Sequence, residues 1–413
     1  MIGQLATIHE AAHRARPSPF IVVAILLVSA TVASAQSFES GSSGTDGALV
    51  VTTPGTYDFY RNNLAISSQQ LDQDKDNIFH FTEVTIGSDV TLRLTGQHFP
   101  EPIVWLTSGE VKILGNLNLD GENSLQVSTA ERRPSIPGAG GYSGGTGGDN
   151  SKPAYPGTGP GGGIAGVLGG PGHVYQGRGG VFSGNQFLVP LIGGSGGGGG
   201  LEPCCPGSRS GGAGGGALLI ASSVSINISG RVSANGGNGT NFHVLGNGGG
   251  GSGGGIRLVA PLIYGSGQLE ARGGPAQHSG GNGVIRVESF LKQFSDVSNP
   301  QAIAASPYNL FLDRQILPKI KVVSIDGIAV STNVSGFFEM PDVSFENAED
   351  VAIEIVASGV PPGTTVDLQF FSENAPDKSV QTPPLAGTMG QSSVTADVQV
   401  PLGFSRGFAR AKW

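Results

Sequence analysis

Three stretches of this chain superimpose without a gap on one shared glycine. They are "IVWLTSGEVKILGNLNLDG" (103–121), "LLIASSVSINISGRVSANG" (218–236) and "GIRLVAPLIYGSGQLEARG" (255–273), and they align Gly115 with Gly230 and Gly267, and Gly121 with Gly236 and Gly273. After the first glycine, apolar residues alternate with polar ones. Leu117 and Leu119, Val232 and Ala234, and Leu269 and Ala271 fall on one side, and Asn118, Ser233 and Glu270 on the other. That is the period of two of a half-buried strand. Before the glycine, Val111 and Ile113 stand opposite Ile226 and Ile228, and earlier Val104 and Leu106 stand opposite Leu219 and Ala221. Each unit therefore reads as three short strands parted by turns.

A unit of about 20 residues cannot bury its apolar face alone, but stacked copies can. The expected fold class is mostly β: a short parallel β-helix or solenoid. "HFTEVTIGSDVTLRLTG" (80–96) reads as a further coil and "GNGVIRVES" (281–289) as a closing strand. Similar strands in an antiparallel sandwich would alternate in the same way, so that arrangement stays open.

Between the first two aligned units runs a long insertion, about 133–216, that is poor in charge and rich in Gly and Pro. The chain carries 70 glycines in 413 residues, more than twice the ordinary usage of about 7%. A linker of this composition is usually disordered. Ile164, Val167, Leu168, Phe182, Phe187, Leu188 and Val189 are frequent for a solvated linker, and they support the other reading, packed polyproline-II-like segments.

The ends differ in texture from this centre. At the N-terminus, Arg14 and Arg16 precede an apolar run and the small residues of Ala33–Ala35, the pattern of a secretory signal peptide over 1–35. No second apolar run of membrane length follows, so no membrane span is expected after its removal. The expected organisation is a solenoid over 36–289, a connector over 290–317 and a module over 318–413. In the last of these, Val351, Ile353, Ile355, Val366, Leu368 and Phe370 alternate with polar residues between Pro and Gly turns. Such spacing suits an immunoglobulin-like β-sandwich.

Taken together, "GSSGTDGALVVTTPGTYDF", the aligned blocks and the ending "VPLGFSRGFARAKW" resemble a group of secreted, glycine-rich bacterial proteins to which no activity is assigned. The resemblance covers nearly all of the chain after the leader. It implies an exported bacterial protein and brings no catalytic residues with it.

Two local motifs suggest chemistry. In "DQDKDNIFHFTE", Asp72, Asp74 and Asp76 are followed by Glu83 at the twelfth position, the spacing of a calcium-binding EF-hand loop. The residues that follow read as strand where an EF-hand needs a helix, so a calcium site on a β-turn competes with a solvated acidic turn. Cys204 and Cys205, the only cysteines, are adjacent. An exported chain meets oxidising conditions, leaving a strained vicinal disulfide, free thiols or intermolecular bridges as the alternatives.

Function is constrained mainly by exclusion. The net charge of −8 without any basic run argues against a nucleic-acid partner. "GGSGG" at 193–197 fits a nucleophile elbow by letters alone, without the strand–turn–helix context. In the aligned frame, Asp120, Asn235 and Arg272 form one outward set, and Asn118, Ser233 and Glu270 another. One acid per column is thin for catalysis. The leading expectation is an exported structural or adhesive protein of the cell surface or matrix, contacting glycans or matrix proteins. The alternative is a carbohydrate-active β-helix enzyme, a polysaccharide lyase or hydrolase.

Overall fold

The computed structural model describes residues 37–125, 133–149, 152–167, 175–202, 209–241, 246–295, 297–307, 319–330, 343–344, 350–372, 375–376, 378–403 and 405–411. The leader expected over 1–35 and the pair Cys204 and Cys205 lie outside these residues. Among the described residues the regular structure is strand, and no helix is long and apolar enough to cross a membrane.

The chain passes repeatedly through three columns of parallel strands. The first holds the front of Ile78–Ile86, then Ile103–Thr107, Ala217–Ser222, Gly255–Val259, Val284–Glu288 and Ile303–Ala305. The second holds Gly47–Val51, the back of Ile78–Ile86, Val111–Ile113, Ser225–Ile228, Leu262–Gly265 and Leu291–Phe294. The third holds Gly55–Asp58, Val90–Arg93, Asn116–Asn118, Arg231–Ser233, Gln268–Glu270 and Val297–Asn299. The long strand Ile78–Ile86 joins the first two columns into one curled 11-stranded sheet, and the third is a 6-stranded sheet.

The register follows from the apolar pattern. Val111, Ile226 and Ile263 pair in one row and Leu117, Val232 and Leu269 in another, all fully buried. Each such side chain contributes about 1.5–3 kcal/mol by leaving water, and a slip of one residue would turn the whole row outward. The sequence frame fails at one place. It sets Leu218 opposite Gly255, whereas Leu218 pairs with Ile256. Ala221 pairs with Val259 but Ser225 pairs with Leu262, so the corner is one residue shorter in this tier and Ile256 and Leu258 stay buried. The columns also continue beyond residue 289 through Leu291–Phe294, Val297–Asn299 and Ile303–Ala305.

The middle strands of column one, Ile103–Thr107, Ala217–Ser222 and Gly255–Val259, are buried on both sides. Trp105, Leu218 and Ile220 face the inner core. Val104, Leu106, Leu219, Ala221 and Val259 form a second cluster with Phe38, Leu191 and Phe290. Columns two and three bury one face and leave the other accessible, so any surface chemistry of the stack lies on those two.

The described part of the glycine-rich insertion contains a hydrogen-bonded interior, while Ile164, Val167, Val181 and Phe187 stay exposed at its margin. Tyr142, Gly145 and Gly148 donate their N–H groups to the carbonyls of Gly194, Gly197 and Gly200. Those same glycines donate to Gly215, Gly212 and Arg209, at 2.8–2.9 Å. Bonds recur every third residue, the period of a polyproline-II helix and not that of a strand. Residues 193–200 are buried throughout, with neighbours around them at 142–148, 155–166, 175–178, 209–215 and 249–252. Close approach is what demands glycine there. A Cβ on Gly214 would sit 1.8 Å from the Gly194 oxygen, and one on Gly196 2.0 Å from the Ser143 oxygen.

The described part of the C-terminal region forms two antiparallel sheets. One runs Ile328–Ala329, Lys319–Ile325, Asp350–Ser358, Ser392–Gln399 and Ala386–Gly387, and the other Lys378–Gln381, Val366–Ser372 and Ser405–Ala411. Val351, Ile353, Ile355, Val366, Leu368 and Phe370 are all buried, as their alternation predicts.

The lattice makes a direct prediction. Gly214→Ala should lower stability by roughly 3 kcal/mol or more, because backbone and not a mobile side chain blocks the methyl group. Gly390→Ala, whose nearest neighbour is 3.9 Å away, should stay within about 0.5 kcal/mol of the parent protein. Thermal or denaturant unfolding of both variants checks this contrast.

Candidate functional site

The outer surface of column three gathers the polar sets expected from the repeat. Asn118, Ser233 and Glu270 pair in register, but only Asn118 and Glu270 are partly accessible; Ser233, expected to face outward, is fully covered on the middle tier. Beyond them the chain turns away, and side chains hold successive tiers together. Asp120 Oδ1 accepts the N–H of Asn235 at 2.7 Å, and Asn235 Oδ1 accepts the N–H of Arg272 at 2.8 Å. Asn118 Oδ1 in turn accepts the N–H of Asp120 at 2.8 Å. A polar residue recurring at this corner is therefore a ladder that satisfies backbone donors no strand would reach.

Arg231, which the sequence reading passed over, ties the two sets together. Its Nε donates to Glu270 Oε2 at 3.1 Å, and its Nη2 lies 3.7 Å from Asp120 Oδ2. Glu270 Oε2 also accepts from Asn235 Nδ2 at 3.0 Å and Arg272 Nη2 at 2.9 Å. Burial pushes the Glu270 carboxyl up, but the Arg231 and Asn235 hydrogen bonds and the arginine charge outweigh it and hold the group below its ordinary value. Asp120 moves the other way: burial raises it, and the Asn235 N–H and Arg231 charge only partly compensate. Arg231 could have been found from the aligned frame, where it follows the shared glycine as Asn116 and Gln268 do.

Such a cluster balances two carboxylates with two guanidinium groups. It can offer hydrogen bonds from the rim of the sheet, chiefly through Arg272, which is exposed. As a catalytic pair it is restrained, because Asp120 is built into the backbone ladder and Glu270 is held by two arginines.

The aspartate trio is brought together. Asp72, Asp74 and Asp76 offer carboxylate oxygens within 4.8 Å of one another. Glu83 is not part of this group and stands exposed in the strand Ile78–Ile86. Asp72, Lys75 and Asn77 take φ of 46°, 58° and 65°, a left-handed geometry that Asn and Asp tolerate and Lys adopts at a cost. The fully buried Asp72 carboxylate accepts from Arg61 Nε at 2.7 Å and from the N–H groups of Asp76 and Asn77 at 3.0 and 3.1 Å. Burial is the largest influence on Asp72 and raises its carboxyl, with the Arg61 charge opposing. The Arg61 guanidinium also lies 4.9 Å from the Phe99 ring centroid. With Arg61 in place, the trio supplies only two carboxylates beyond that ion pair, fewer than a calcium ion's usual set of oxygen ligands.

A second buried ion group was also missed. Glu288, with its side chain fully buried, binds Arg257 at 2.9 Å and Arg286 at 2.7 Å on the covered side of column one. Its signal was the three charged residues, Arg257, Arg286 and Glu288, inside the otherwise apolar "GIRLV" and "VIRVE" strands.

No family model matches the chain, and neither does any curated protein or solved structure. Geometry alone therefore bears on the site, and it makes a measurable claim about Arg61. Arg61→Gln should cost about 3 kcal/mol by stranding a buried carboxylate, and millimolar calcium should restore part of that loss. The same calcium should leave the melting temperature of the parent protein unmoved. A calcium-dependent rise in the parent protein would contradict the assignment of Arg61 as the resident cation.

Proposed function

We propose that this chain is an exported structural or adhesive protein of a bacterial surface or matrix. In this reading the three columns close as a short parallel β-helix, the glycine-rich insertion stiffens its flank, and the C-terminal sheets form an immunoglobulin-like sandwich. The accessible faces of columns two and three offer the contacts to glycans or matrix proteins. One observation carries the non-catalytic reading: the acids on column three are already spent. Asp120 caps backbone, Glu270 is clamped by Arg231 and Arg272, and Asp58 holds Arg93 in a bidentate pair at 2.8 and 2.9 Å. General acid–base catalysis needs a carboxyl free to exchange its proton with a substrate.

The rival reading, a polysaccharide lyase or hydrolase, draws on the opposite displacement of the Asp120 and Glu270 carboxyl groups, since paired acids pushed apart are how glycosidases assign acid and base. Incubating the purified protein with neutral and acidic polysaccharides separates the two. The structural reading expects retention on one or more of them with no release of reducing ends or unsaturated products. Turnover that disappears in Asp120→Ala or Glu270→Ala would establish the enzyme instead.

A further inference from the structure

Column two carries its own polar row, separate from the cluster on column three. Thr85, Lys112, Asn227, Tyr264 and Gln293 stand in register on five successive strands. Neighbouring strands are about 4.8 Å apart, so the row is a straight line of side chains across the stack. None of the five is buried.

Within it the tyrosine is fixed in an unusual way. Tyr264 Oη donates to Glu110 Oε1 at 2.6 Å. Glu110 lies on the tier of Lys112, two strands from Tyr264, which is about 9.6 Å across the sheet. The tyrosine side chain can reach that carboxylate only by lying down over the strand between, Ser225–Ile228. That strand helps hold it: Ser225 Oγ donates to the same carboxylate oxygen at 3.2 Å, and Asn227 hydrogen-bonds the phenol. Lys112 Nζ binds the other oxygen, Oε2, at 2.8 Å. The Lys112 hydrogen bond, then that of Tyr264, keeps Glu110 below its ordinary value, so it remains an acceptor for both. The phenol is raised in consequence and stays protonated.

A tyrosine laid along a flat sheet presents one ring face to the protein and the other outward. The outward face is electron-rich and suits the C–H face of a sugar ring. The neighbours are the groups that a sugar's hydroxyls require: an ammonium, two side-chain amides and a hydroxyl, all on rigid strands. Lys112 and Glu110 cancel in charge, so nothing in the row selects for an anion. We propose that the Thr85–Lys112–Asn227–Tyr264–Gln293 row is a binding site for a neutral, linear polysaccharide that lies across the stacked strands with one pyranose on Tyr264. Two strand spacings approach the length of a disaccharide, so alternate residues of the row meet equivalent sugars. This assignment rests on the adhesive reading above and gives it a ligand class and a place.

The test titrates soluble cello-, chito- and xylo-oligosaccharides into the full protein by calorimetry, with an oligogalacturonate as the acidic comparison. Tyr264→Ala should weaken binding of the neutral ligand by about tenfold or more, the loss of a whole aromatic platform. Tyr264→Phe keeps the ring but frees it from Glu110, and should lie between the two. Thr395→Ala, exposed on the C-terminal strand Ser392–Gln399, should bind as the parent protein does. Melting curves identify any variant that has not folded; if Tyr264→Ala is one, Tyr264→Phe and Lys112→Ala decide. Neutral-glycan binding unchanged in Tyr264→Ala, no binding of any neutral oligosaccharide, or preference for the acidic one would each overturn the site. The adhesive reading would survive the first of these results. Cleavage of the bound sugar would instead overturn the non-catalytic reading, leaving the Tyr264 variants to judge the site.

Discussion

Everything in the N-terminal architecture depends on backbones approaching backbones at regular intervals. In the three columns the approach is a parallel strand ladder, and in the insertion it is a hydrogen bond at every third residue. The two regimes share the same chain passes. Gly215 and Gly216 are bonded into the glycine lattice immediately before Ala217 enters column one, and Ala234 leaves column three to meet Gly254. Side chains fill the interior of the columns, whereas the interior of the insertion is peptide groups. That difference explains how a segment with few large apolar residues can still pack: its buried polar groups are satisfied by one another.

The repeat was legible in sequence because its apolar residues alternate and its glycines fall at fixed corners. The pairings of Val111 with Ile226 and Leu117 with Val232 follow from it. The shortened corner ahead of Leu262 was not legible, because Gly255–Val259 is buried on both faces and presents no solvent face to fix its frame. The packing of the insertion was open for a related reason. A period-three lattice of glycines leaves no hydrophobic pattern, and its requirement for glycine comes from neighbours far along the chain, such as Gly194 against Gly214. At the candidate sites, the aspartate trio and the Asp120 and Glu270 sets could be read from spacing. The position of Arg231 after the shared glycine was within reach of the aligned frame, but its bonds to Glu270 and Asp120 join different tiers and no motif announces them, whereas Arg61 lies outside the repeat and is defined only by its contact with Asp72.

Burial divides the stack into faces with different capacities. Column one is covered by Phe38, Leu191 and Phe290 over an apolar cluster, and farther along it holds the buried Glu288 with Arg257 and Arg286. Such an ion group is costly to assemble and more costly to break. Columns two and three carry their polar side chains outward on strands that cannot easily move, so those side chains are preorganised without a pocket. Preorganisation lowers the entropy lost on binding, and a row repeated along the stack suits an extended ligand better than a compact one.

The central claim is that the stretch from Gly193 to Gly200 is a buried, hydrogen-bonded interior. Native-state hydrogen–deuterium exchange, read by fragment mass spectrometry or NMR, addresses it without any substitution. The amides of Gly194, Gly197 and Gly200, which donate to Gly215, Gly212 and Arg209, should exchange only through large-scale opening. They should be as slow as those of the core strand Ala217–Ser222. Exchange at the rate of an unstructured glycine-rich peptide would contradict the account.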